Sequence, residues 1–194
     1  MRRLSKGWRI FILAVIILAL GTGGVYALSP QIECMKFRLA YYDRAEWLQY
    51  ASRTDADSWL YHPVNYTGLD TSYVPTEKNL AFSSNRAVRL GRGYTLTGLY
   101  GVSDWMMWVG VYGRNDLQGL SLQAQGSENS AYPEKRSPER TASGALFGQT
   151  ILLPLAAPET VENGQITLDV TLPDGSRITQ TLSVDADPLA LAKN

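Results

Sequence analysis

Nineteen consecutive residues, Ile10 to Leu28, carry no charge. At a helical rise of ~1.5 Å per residue they span about 28 Å, close to the hydrocarbon thickness of a bilayer. Arg2, Arg3, Lys6 and Arg9 precede the run. Basic flanks stay in the cytoplasm, so the chain beyond Ser29 is expected outside it. The run reads either as a single-pass anchor or as a secretory signal. Gly21, Gly23 and Gly24 followed by Val25-Tyr26-Ala27 fit a signal cleaved after Ala27. The apolar length, continued to Leu28, fits an anchor, and that is the reading adopted.

The next period is helical. Residues 31–53 contain no Gly or Pro and are rich in Ala, Leu, Met, Glu, Gln, Lys and Arg. Ile32, Met35, Leu39 and Tyr42 form one apolar stripe, and Tyr41, Ala45 and Leu48 an adjoining one. With Pro30 as a helix start, this predicts a separate stalk helix leaving the membrane.

From there the pattern turns to strands. Residues 54–86 are irregular, rich in Asn, Asp, Ser and Thr, yet carry Trp59, Tyr61, Tyr66, Tyr73 and Phe82. Segments 94–100 and 105–112 are dense in β-formers, with a turn at Gly101 to Asp104. A third segment covers 117–125. A polar loop is expected over 127–143, strand character again over 144–155, and a short tail from Asp185 to Asn194. The clearest signal is a hairpin. Ile166, Leu168, Val170 and Leu172 alternate with polar residues, and Pro173-Asp174-Gly175 makes the turn. Pairing Leu172 with Ser176 puts Val170 opposite Ile178 and Ile166 opposite Leu182. The predicted architecture is a mainly β domain over 54–194, antiparallel and sandwich-like or an open barrel. It follows a basic N-terminus (1–9), a transmembrane segment (10–28) and a stalk helix (31–53).

Composition narrows the partners. The chain has 194 residues with 18 basic and 18 acidic side chains. Four of the basic ones precede Ile10, so the domain beyond the span is net acidic, which argues against nucleic acid. The single cysteine, Cys34, excludes an internal disulfide and is a candidate for an intermolecular one. It would join stalk helices in a homodimer.

Catalytic and metal chemistry find little to work with. His62 is the lone histidine and stands before Pro63. Asp55 with Asp57, and Asp185 with Asp187, offer too few oxygens for a hard cation. No catalytic residues, metal or cofactor are therefore expected. Arg86, Arg89 and Arg92 form a basic cluster able to grip phosphate or carboxylate, or to guard an edge strand. Trp59, Trp105 and Trp108 are candidates for stacking on a sugar or anchoring a partner. Trp105 and Trp108 lie three apart, so a regular strand would put one in the core and one at the surface. Asn65-Tyr66-Thr67 fits a glycosylation acceptor.

These features predict a non-enzymatic interaction or assembly module of the cell envelope, membrane-anchored, with an envelope protein as partner. A carbohydrate-binding module is the alternative. An enzyme with an unfamiliar carboxylate site, using Asp104 or Asp116, is a further one.

Overall fold

A computed structural model describes residues 6–48, 79–91, 93–128, 141–145 and 147–188. Most of the irregular region, with Trp59, His62 and the Asn65 triplet, lies outside the described residues, as do Arg92, the middle of the polar loop and the last residues of the tail.

The N-terminal half-pattern becomes one helix, α1, Lys6–Leu48. The expected break at Pro30 does not occur, and there is no separate stalk element: Pro30 lies inside the helix. By length and composition α1 is apolar enough to cross a membrane. Every side chain from Ile12 to Leu28 is exposed, an apolar cylinder that the protein itself leaves uncovered. The polar Thr22 within it returns its hydroxyl to Leu18 O at 2.9 Å, so no donor is left open there.

Beyond the helix the fold is antiparallel β in two sheets. The strands are β1 Leu80–Ser84, β2 Val88–Gly91, β3 Tyr94–Val102, β4 Met106–Gly113, β5 Ser121–Ala124, β6 Thr141–Ala145, β7 Gly148–Ala156, β8 Gln165–Thr171, β9 Arg177–Ser183 and β10 Asp185–Pro188. The larger sheet runs β10-β1-β3-β4-β7-β6, with β2 also pairing β3; the smaller runs β5-β8-β9. A single apolar cluster draws on both: Leu96, Leu99, Met107, Val109, Val111 and Leu153 from the larger sheet, Leu122, Ile166, Leu168, Val170 and Leu182 from the smaller.

The hairpin forms as its pattern requires. Val170 pairs with Ile178 and Ile166 with Leu182, and Leu172 N donates to Ser176 O at 2.9 Å. Asp174 Oδ1 accepts from Ser176 N. Gly175 takes the positive φ of 81°, a conformation that a side chain would resist.

Strands β3 and β4 are buried along their whole length, because both faces of the sheet are covered. Met107, Val109 and Val111 of β4 join the shared core, and the alternate Trp108, Gly110 and Tyr112 face the other way. In β3 the register shifts between Leu96 and Gly98. That bulge lets Leu96 and Leu99 both face the core although they lie three apart.

Candidate functional site

The second face of the larger sheet is covered by α1, and their junction is where the unusual chemistry collects. A proline inside a helix lacks an N–H and orphans the carbonyl four residues earlier. For Pro30 that carbonyl is Tyr26 O. Ser29 Oγ donates to it at 2.9 Å and Arg114 Nη2 at 2.6 Å. The Arg114 guanidinium also lies 3.8 Å from the centre of the Tyr26 ring, a cation–π contact. Tyr26 in turn meets Phe147 edge-on at 5.4 Å. Ser29 Oγ is 2.9 Å from Tyr112 OH, which donates to Phe147 O at 3.1 Å. The helix thus stays continuous through its proline because the end of β4 supplies the missing donor.

Further along, Phe37 enters a slot made by absent side chains. A Cβ on Gly110 would stand 2.5 Å from Phe37 Cδ2 and 2.6 Å from Thr97 Oγ1, and one on Gly98 would also strike the ring. Phe37 is 7% exposed. Its ring leans on Tyr100 at 6.2 Å; Tyr100 stacks on Trp108 at 4.9 Å and 8°; Trp108 meets Trp105 edge-on at 6.4 Å. Glu33, buried one turn before Phe37, pairs with Lys36 at 2.7 Å.

The side of α1 that packs is therefore Ser29, Glu33 and Phe37, and not the apolar stripe read from the sequence. Met35 is 64% exposed and Leu39 75%. Packing here depends on one ring in a glycine slot and on hydroxyl and guanidinium contacts, none of which an apolar period reports.

The other sequence candidates are scattered. Trp105 and Trp108 are both buried and touch, so neither is the surface aromatic expected of the pair. Both faces of the sheet are covered at β4, and β4 begins at Met106, leaving Trp105 in the preceding turn and free of strand alternation. Arg86 and Arg89 are exposed, the first before β2 and the second on it, opposite Thr95. Asp104 and Asp116 flank opposite ends of β4, the whole length of a strand apart, so they share no cleft. Asp104, at φ 56°, donates its N–H to Pro158 O at 2.8 Å, and Asp116 Oδ1 accepts from Gln118 N at 2.9 Å, both turn duties. Among the described residues no three His, Cys, Asp or Glu side chains are grouped to hold a metal.

Cys34 is half-buried and donates its thiol to Asn85 O at 2.9 Å. Burial pushes its pKa up, against weaker lowering by Arg38 and an Ala87 backbone hydrogen bond. A smaller thiolate fraction reacts more slowly. Maleimide labelling of the folded protein near neutral pH is expected to run several-fold slower than after denaturation. Equal rates would show that the thiol is not held.

Strand-interior glycines were the one signal of the Phe37 slot, since such glycines mark a close approach. Nothing local marks Arg114 as the partner of Tyr26, 88 residues away. No protein family, curated protein sequence or solved structure matches this chain.

Proposed function

We propose that this chain is a non-enzymatic, membrane-anchored assembly module whose helix pairs with that of a second copy. The β domain, in a sandwich-like arrangement of its two sheets, then stands on the extracytoplasmic side with the basic N-terminus in the cytoplasm. The observation that carries the reading is the open face of α1. Val25, Leu28, Ile32, Met35 and Leu39 follow one another at alternate spacings of three and four, as the a and d positions of heptads do. Leu28 is 56% exposed, and Met35 and Leu39 more so.

Geometry makes the two faces of the helix compatible. At about 100° per residue this seam points away from Glu33 and Phe37, while Ser29, at an e position, flanks it. Tyr26, Pro30, Glu33, Cys34 and Phe37 take the outer b, c and f positions, so a dimer leaves their sheet contacts in place. Two copies inserted in one membrane the same way run parallel. Cys34, at c, lies off the seam, so the pairing needs no disulfide.

Native mass measurement of the full-length chain in mild detergent tests this. The wild type is expected at twice 21.4 kDa, and Met35→Glu/Leu39→Glu at the single mass with its β signature intact. A wild type that stays monomeric at every concentration contradicts the proposal. A stoichiometric foreign protein in place of the second copy would keep the assembly role and replace the partner. An exposed tryptophan platform for sugars has less support, because Trp105 and Trp108 are buried.

A further inference from the structure

Where α1 leaves its uncharged run, a cavity of about 360 Å³ opens between the helix and the β2–β3–β4 edge. Pro30 and Gln31 line it from the helix, and Arg89, Tyr94, Thr95 and Arg114 from the sheet. Among the described residues its lining holds two guanidiniums and no carboxylate. Of the Arg114 donors, Nη2 serves Tyr26 O and Nε is shut away from solvent, which leaves Nη1 for a ligand. Tyr94 is already committed, donating its hydroxyl to Asp116 O at 2.9 Å.

The position of the cavity along α1 says what kind of ligand it meets. The run ends at Leu28, and Ala27 and Pro30 touch the cavity, so it stands at the level of lipid headgroups. Phe147, 46% exposed, packs against Tyr26, whose ring lies under the Arg114 guanidinium. Such an aromatic pair is of the kind found at a membrane interface. Guanidinium groups match phosphate oxygens in pairs, and Arg89 is exposed and able to close on one.

We propose that this cavity is a phosphate site at the membrane surface, in which Arg89 and Arg114 hold the phosphate of an anionic lipid headgroup. The inference rests on the reading that α1 is inserted in a bilayer. An occupant would brace the helix against the sheet at Pro30, where the backbone is weakest.

The test uses the full-length chain in two arms. In the first, protein from nanodiscs of phosphatidylcholine with phosphatidylglycerol is analysed by native mass spectrometry for retained lipid. In the second, the protein in neutral, phosphate-free detergent is titrated calorimetrically with inorganic phosphate. The wild type is expected to retain phosphatidylglycerol over phosphatidylcholine. Arg89→Gln should weaken this roughly tenfold or more, as losing one charge-assisted hydrogen bond implies. Arg114→Gln should do the same, but it also strips Tyr26 O, so Arg89→Gln is the deciding variant. Phosphate binding that Arg89→Gln removes, with no lipid retained, upholds the site with a soluble source. Retention that is indifferent to Arg89, or no binding in either arm, overturns it. Alkaline carbonate extraction separates the two claims: release of the chain defeats insertion, while the phosphate titration still judges the site.

Discussion

Gly110→Ala is expected to destabilise the full-length protein by about 1–3 kcal/mol, the ordinary cost of forcing a methyl group into a filled space. The methyl would stand 2.5 Å from Phe37 and 2.6 Å from Thr97 Oγ1. Thr97 sits at the β3 bulge and has little room to move, so the ring must leave. Phe37→Ala alone should cost more, about 3–5 kcal/mol, by emptying the slot. The informative case is the double variant. With the ring gone, the Gly110 methyl enters vacated space, and the combined loss should fall short of the sum by about 1 kcal/mol or more. Denaturant unfolding in detergent, followed by tryptophan emission, reads all three, because Phe37 leans on Tyr100 and Tyr100 on Trp108. Strict additivity would mean that the ring does not occupy the slot.

The second large effect is at Trp108, whose indole is fully buried. Trp108→Ala is expected to cost about 3–5 kcal/mol, since that indole is replaced by a methyl. Part of the loss is the stack on Tyr100 and the edge contact with Trp105. Aromatic pairs of this kind contribute about 0.5–1.5 kcal/mol beyond the area they bury. The same substitution discriminates between functions. A sugar platform tolerates truncation of its aromatic and loses ligand; a core residue loses the fold. Titrating cell-wall glycans into the wild type should leave the emission of Trp105 and Trp108 unmoved. A glycan-dependent shift that Trp108→Ala abolishes at unchanged stability would reverse the assignment.

How far the chain could be read without its structure depended on how local each cause was. The Ile166–Leu182 hairpin was legible down to its register, because alternation and the Pro173-Asp174-Gly175 turn act within seventeen residues. The segments of β3 and β4 were legible as strands, but not their faces. A bulge between Leu96 and Gly98 resets the alternation in β3, and a strand starting at Met106 frees Trp105 from it. The continuity of α1 was hidden for a different reason. Proline ends a helix on local grounds, and here the orphaned Tyr26 carbonyl is satisfied by Arg114 from the far end of β4. The apolar stripe of Ile32, Met35 and Leu39 was visible, but not the side of the helix that packs. It faces away from the sheet, while the sheet takes the more polar side through Phe37 and the glycines. The phosphate site was half visible: Arg89 stood out in its cluster, and Arg114 had no neighbour to mark it.

In the proposed assembly α1 has two occupied faces, one on its own sheet and one on a second copy. Cysteine cross-linking in native membranes tests it most directly. In a Cys34→Ser background, single cysteines replace Leu28, Met35 and Leu39 on the seam, and Gln31 and Lys36 beside it. Mild oxidation should convert the three seam variants to disulfide-linked dimers in preference to the flanking two, with Met35→Cys, at a d position, among the strongest. Cross-linking that ignores heptad position, or none at any of the five, would contradict a paired helix.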